Sequence, residues 1–199
     1  MHIIGITGGT GAGKTSAVNA LQTLGIQALD CDAIYHEMLA DNAEMSAGIE
    51  AQFNNVSTDG KIDRRRLGEI VWCDPNALHK LNTITHKFMC IEIEKRISTL
   101  KAQGVKIIAI DAIALIESGQ GKKCDIVVGI IAPLEKRLSR IIKRDDLTKE
   151  HALMRINAQQ PESFYRGNCD YILENPYDTQ AEFEQKCTEF FTKYISRLN

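Results

Sequence analysis

The residues with the clearest chemical content are Gly8-Gly9-Thr10-Gly11-Ala12-Gly13-Lys14-Thr15. They satisfy the spacing G-x-x-x-x-G-K-[ST], a loop whose glycines let successive backbone N–H groups curl around phosphate oxygens. Lys14 is placed to reach the β- and γ-phosphates of ATP and Thr15 to set a hydroxyl on Mg²⁺. A helix starting here adds the favourable end of its dipole. The expected nucleotide contacts are therefore Gly9, Thr10, Gly11, Ala12, Gly13, Lys14, Thr15 and Ser16. The competing reading is an ordinary glycine-rich turn. The apolar, β-branched run His2–Thr7 before the loop and the helical spacing after it favour the phosphate loop.

Asp30 and Asp32 form a second group. Phosphorylation of a hydroxyl needs a carboxylate to orient that group or accept its proton, since the rest of the catalysis is positioning and charge neutralisation. One of the pair can instead cap the helix expected from about Ala33, and both roles can coexist, one per residue. Asp111 follows the apolar run Ile107–Ile110, a place where an acid can support Mg²⁺ through water or merely turn the chain. Arg137, Arg140 and Arg144 fall at i, i+3 and i+7 on one helix, a face that could clamp transferring phosphates or simply be solvated. Asp63-Arg64-Arg65-Arg66 opens a further helix, whose three adjacent arginines cannot all face one way. His86 is isolated, and His2, His36, His79 and His151 show no metal-ligand spacing.

Elements able to hold these groups can be read along the chain. Strands are expected at His2–Thr7, Ile26–Leu29, Lys106–Ile110, Ile126–Ile131 and Tyr171–Leu173. A helix follows Gly13, with Ala17, Val18, Leu21 and Leu24 on one side and Gly25 as its stop. Others are expected after Pro133, from an N-cap at Thr148 toward Gln160, and along the stripe Phe183, Cys187, Phe190, Phe191, Tyr194, Ile195 and Leu198. The stretch from about Ala33 to Gln103 reads as helical with no convincing strand. Strands alternating with helices imply an α/β fold with a parallel sheet, which places Thr7, Asp30, Asp32 and Asp111 around one crevice at the strand ends.

Bulk properties narrow the partners. With 199 residues, 44% hydrophobic and 25% charged, the chain suits one cooperative α/β unit carrying an insertion. A net charge of −2 gives no footprint of a nucleic-acid binder. Six cysteines without a C-x-x-C pair read as reduced thiols rather than a zinc site or disulfide framework. No secretory signal and no apolar run of membrane-spanning length is present, so a cytoplasmic protein without a membrane partner is expected. Monomer and homo-oligomer are both open.

Taken in order, these residues resemble the dephospho-CoA kinase family over nearly the whole length. Ile6-Thr7-Gly8-Gly9 through Lys14-Thr15 is similar to its opening, and Leu29-Asp30-Cys31-Asp32 to its acidic segment. Ile62-Asp63-Arg64 with Leu67, and Leu81-Asn82-Thr83-Ile84-Thr85-His86, resemble its substrate-domain pattern. Asp111 with Leu115 and Glu117 stands where the family has D-V-P-L-L-F-E. Arg137, Arg144-Asp145, Arg155 and Gln159 fall in its lid, and Asp170-Tyr171-Ile172 with Asn175 resembles its late strand and adenine-side loop. Departures are Lys87 and Ile113, where the family usually has proline, and Pro176-Tyr177 after Asn175, where glycine is usual.

The resemblance implies a P-loop three-layer fold with a five-stranded parallel sheet. Its core would be residues 1–35 and 104–199, with a mobile lid at about 138–166 and a helical substrate-binding insertion at 36–103. It implies transfer of the ATP γ-phosphate to the ribose 3′-hydroxyl of dephospho-CoA, with Mg²⁺. Asp32 would be the base, and Lys14 and Arg140 the charge stabilisers. Arg137, Arg144 and Asn175 would contact ATP, and Asp32, Arg64, His86 and Asp111 the acceptor. A related kinase of another nucleoside or nucleotide, and a non-catalytic ATP-binding regulator, are the alternatives; a GTPase lacks its D-x-x-G and N-K-x-D segments here.

Overall fold

The structure, a computed structural model, describes residues 1–58 and 61–198, without the side chains of residues 72, 73 and 75. The thiol expected at Cys73 therefore lies outside the described residues. In chain order the elements are β1 (His2–Gly8), α1 (Lys14–Thr23), β2 (Gln27–Asp30), α2 (Cys31–Asp41), α3 (Ala43–Glu50), β3 (Ser57–Thr58), β4 (Lys61–Ile62), α4 (Arg64–Cys73) and α5 (Pro75–Ala102). There follow β5 (Ile107–Asp111), a 3₁₀ turn at Gln120–Lys123, β6 (Ile126–Ile131), α6 (Leu134–Asp145), α7 (Lys149–Asn157), α8 (Glu162–Asn168), β7 (Tyr171–Glu174) and α9 (Gln180–Ile195). They divide into two compact units, Met1–Leu29 with Val105–Asn199, and Asp30–Gly104.

The first unit is built on a five-stranded parallel sheet of order β2-β5-β1-β6-β7. β1 lies at its centre, in register from His2↔Ile107 to Ile6↔Asp111 on one side and from Ile4↔Ile126 to Gly8↔Ile130 on the other. Strands in such a position are covered on both faces, which is why β1 and β6 are almost continuously apolar instead of alternating. Ala17, Ala20 and Leu21 of α1 share one core with Ile4, Ile6, Val128, Ile130 and the α9 residues Phe183, Cys187 and Phe191. Phe183 and Phe191 are fully buried, each contributing roughly 1.5–3 kcal/mol by leaving water. Thr179 starts α9 with a capping box, taking the Glu182 N–H on its hydroxyl while Glu182 accepts from the Thr179 N–H.

The second unit packs α2 to α5 around Ile34, Met38, Met45, Ile49, Leu67, Leu81 and Ile93. Arg96 of α5 ties two of its helices together, donating to Glu92 at 2.8 Å and to Glu37 at 2.5 Å.

Three expectations need correction. The insertion is not strand-free: β3 and β4 pair antiparallel, Ser57 with Ile62 and Thr58 with Lys61. Two residues per strand are too few to leave a period-2 signal. The helix begun at Thr148 stops at Asn157, and a separate α8 starts after Pro161. Pro161 supplies no N–H to continue the earlier helix and sits instead at the start of the next. The last helix ends at Ile195, so Leu198 is 40% exposed and does not extend the buried stripe.

Candidate active site

The sheet's strand order reverses at β1: from it the chain goes out to β2 and comes back to β5 on one side, then crosses to β6 and β7 on the other. Such a switch point opens a crevice at the carboxyl end of the strand, and here residues 9–13 follow β1 directly into α1. Gly13 is the N-cap of α1 and brings no side-chain hydrogen bond, so no side chain of the cap competes with an anion at the positive end of the helix. Its φ is 109°, and a Cβ there would stand 2.3 Å from Asn175 Nδ2, so only glycine fits. Gly9 is required by close approach: a Cβ on it would meet Arg137 Nη2 at 2.4 Å. Lys14 opens α1 half-buried, Thr15 is exposed, and Ser16 is buried.

Asp111 ends β5 opposite Ile6, at the same end of the sheet. The chain beyond it is fastened to β1. The Ala112 N–H donates to the Ile6 carbonyl at 3.1 Å, and the Thr7 hydroxyl donates to the Ile113 carbonyl at 3.0 Å. Among the described residues no group of three or more His, Cys, Asp or Glu could hold a metal. One hydroxyl and one carboxylate, Thr15 and Asp111, suit Mg²⁺, which keeps waters and takes most other ligands from substrate phosphates.

The arginine face of α6 is only partly realised. Arg137 donates through Nε to the Thr10 carbonyl at 3.0 Å and through Nη2 to Gln159 Oε1 at 2.9 Å. Arg140 donates through Nη1 to the Gly11 carbonyl at 3.1 Å, and through Nη2 to Asn175 Oδ1 at 3.0 Å and the Tyr177 carbonyl at 2.7 Å. Burial lowers the proton affinity of both guanidiniums. Arg144 does not join them. It turns to its neighbour Asp145 at 2.7 and 2.9 Å, while Arg155 reaches the same carboxylate at 2.5 Å. Its hydrogen bond to Asp145 raises the Arg144 pKa, and the same bond holds the Asp145 carboxyl below the usual range. Arg140, expected as a charge stabiliser, gives these donors to main-chain and amide oxygens in and behind the loop. Asn175, expected at the adenine, is 3% exposed and donates through Nδ2 to the Ala12 carbonyl at 2.8 Å.

In the second unit the two aspartates separate by role. Asp30 caps α2, accepting from the Asp32 N–H at 2.9 Å and the Ala33 N–H at 3.0 Å. Asp32 stands exposed in the first turn of that helix. Asp63 caps α4 in the same manner, and Arg64 donates to His36 Nε2 at 3.0 Å. His86 is exposed on α5 with the Cys90 sulfur 3.7 Å away.

Two functional contributions escaped sequence reasoning. Gln159 was legible only as a lid position by resemblance, yet its side chain bonds the phosphate loop. Asn175 was assigned to nucleotide, while its amide supports the loop from behind. No spacing rule marks either, because both contacts span more than 140 residues of chain.

A parallel sheet with a phosphate-binding loop at its switch point, and a basic helix on that loop, defines a P-loop phosphotransferase. The sequence model of the dephospho-CoA kinase family matches residues 2–181. The chain belongs to that family. It is 34% identical over 175 residues to a dephospho-CoA kinase of Latilactobacillus sakei, covering 87% of each chain. A crystal structure of a Thermus thermophilus protein superposes with a TM-score of 0.80 at 29% identity, covering 96% of this chain and 97% of that one. A dephospho-CoA kinase from Campylobacter jejuni gives 0.71 at 28% identity, covering 96% of each. No helix among the described residues is long and apolar enough to cross a membrane.

Proposed function

We propose that this chain transfers the γ-phosphate of ATP to the ribose 3′-hydroxyl of dephospho-CoA, giving CoA and ADP. The observation that carries this reading is the phosphate loop with Lys14 at the sheet's switch point, in a chain matched by the family over residues 2–181.

Each residue has a task in that reaction. Loop amides from Gly9 to Ser16 hold the phosphate chain, and Lys14 neutralises charge that develops on the β- and γ-phosphoryl oxygens. Mg²⁺, carried in with ATP, supplies further charge neutralisation where Thr15 and Asp111 would hold it. Asp32 orients the acceptor hydroxyl and takes its proton, a role open to it because Asp30 does the capping. Arg64 and His86 hold the acceptor's anionic and polar groups. Arg137 keeps the loop in shape, and Arg140 with Asn175 braces it. A diffusible acceptor and ATP as donor fit work in the cytoplasm.

The test is an ADP-release assay with ATP, Mg²⁺ and dephospho-CoA, with AMP as a rival acceptor and Asp32→Asn beside Asp30→Asn. CoA formation is expected to fall about 10²-fold or more in Asp32→Asn, the scale of a lost general base. Asp30→Asn should stay active, since asparagine caps a helix as well as aspartate. Turnover of AMP but not dephospho-CoA would refute the substrate, and an active Asp32→Asn would refute the base.

A further inference from the structure

Gln159 follows the end of α7 and spends its whole carboxamide on the phosphate loop. Its Oε1 accepts from the Thr10 N–H at 2.8 Å and from Arg137 Nη2 at 2.9 Å, and its Nε2 donates to the Thr10 hydroxyl at 2.6 Å. Gly9 leaves the room for this approach, since a Cβ there would stand 3.0 Å from Oε1. A loop N–H and a guanidinium N–H therefore converge on one uncharged oxygen. Donors of these two kinds, aimed at a common point, are the ones that a phosphoryl oxygen takes.

The position of Thr10 says which phosphoryl group that is. Loop amides near the start of α1 take the phosphates closer to the nucleoside, and Lys14 reaches toward the outer ones. Thr10 lies at the opposite end of the loop from α1, where the terminal group of a triphosphate would be.

We infer that Gln159 Oε1 is an internal stand-in for an oxygen of the γ-phosphoryl group, which a nucleoside triphosphate must displace and a diphosphate need not. This rests on the phosphate loop being the ATP site of the proposed function. The exchange is favourable because an anionic oxygen accepts stronger hydrogen bonds than an amide oxygen. Arg137 is not set loose by it, because its Nε still donates to the Thr10 carbonyl. Gln159 joins α7 to α8, so its displacement reports an occupied γ-position to both helices. After transfer the carboxamide returns to the same donors and closes the γ-position behind ADP.

The test is calorimetric binding, with Mg²⁺, of ADP and of a β,γ-imido ATP analogue to the wild-type chain, Gln159→Ala and Gln159→Glu. Gln159→Ala should bind the triphosphate analogue about tenfold more tightly, the factor carried by one net hydrogen bond, with ADP affinity unchanged. Gln159→Glu keeps the size of the side chain and adds a charge. It should weaken the analogue by about tenfold or more and ADP by less. The inference is overturned if Gln159→Ala weakens the analogue, or if the variants shift both nucleotides by the same factor. A wild-type chain that binds neither nucleotide overturns the proposed function and this inference together. One that binds both, with an unchanged affinity ratio in the variants, overturns the inference alone.

Discussion

Arg140 separates two ideas of what a half-buried arginine beside a phosphate loop does. Replaced by methionine, it loses three short hydrogen bonds, to the Gly11 carbonyl, Asn175 Oδ1 and the Tyr177 carbonyl. At about 1.5 kcal/mol each, the low end for a charged donor because the side chain is only half-buried, these sum to roughly 4–5 kcal/mol. Relief from holding a guanidinium away from water returns about 1–2 kcal/mol, leaving a net loss of about 3 kcal/mol. In a chain of this size that lowers the melting temperature by about 6–12 °C. Scanning calorimetry gives the stability, and the ADP-release assay, run well below the melting point, gives the rate. A brace predicts the full drop in melting temperature, a raised KM for ATP, and a kcat reduced by less than about tenfold. An unchanged melting temperature with kcat reduced about 10³-fold or more, the scale of an arginine on the transferring phosphate, would refute the brace.

Two further outcomes follow from the geometry. Gly13→Ala should abolish ATP binding in calorimetry and cost about 2 kcal/mol or more, because its Cβ must displace Asn175 at a φ of 109°; wild-type binding would show that the loop relaxes freely. Burial pushes the thiols of Cys124 and Cys187 up to about 12 and that of Cys169 to about 11, from an ordinary 9.0. In the folded protein these three should resist a thiol reagent at neutral pH. Their contribution to stability is complete below pH 9.0 and declines as the pH rises toward 12, because unfolded chains ionise there first. Early labelling of Cys187, or unfolding midpoints that do not fall over that alkaline range, would contradict this.

The sequence exposed the parts whose signal is local. The phosphate loop, the strand before it, the stop at Gly25 and the cap at Thr148 each lie within a few residues of their cause. Asp30 and Asp32 could be named but not assigned, since both satisfy the spacing of a cap. The backbone decides it by turning the Asp32 and Ala33 amides onto Asp30. The i, i+3, i+7 spacing put three arginines on one face, but it could not reveal that Asp145 captures Arg144. Gln159 and Asn175 had no local signal, because their partners are made adjacent only by the folded chain.

The central strand of the sheet precedes both of its neighbours in sequence, and that has a consequence for how the protein is born. β1 is made as His2–Gly8, but its partner on one side begins only at Ile107 and on the other at Ile126. At translation speeds of about 5–20 residues per second, β1 waits about 5–20 s with an apolar edge unpaired. The Asp30–Gly104 unit, contiguous in sequence, emerges complete within that interval. The phosphate loop gains its brace from Asn175 later still, because that residue follows Ala12 by 163 positions. A nascent chain halted before Asn175 therefore carries the whole nucleotide-binding motif without the amide that braces it.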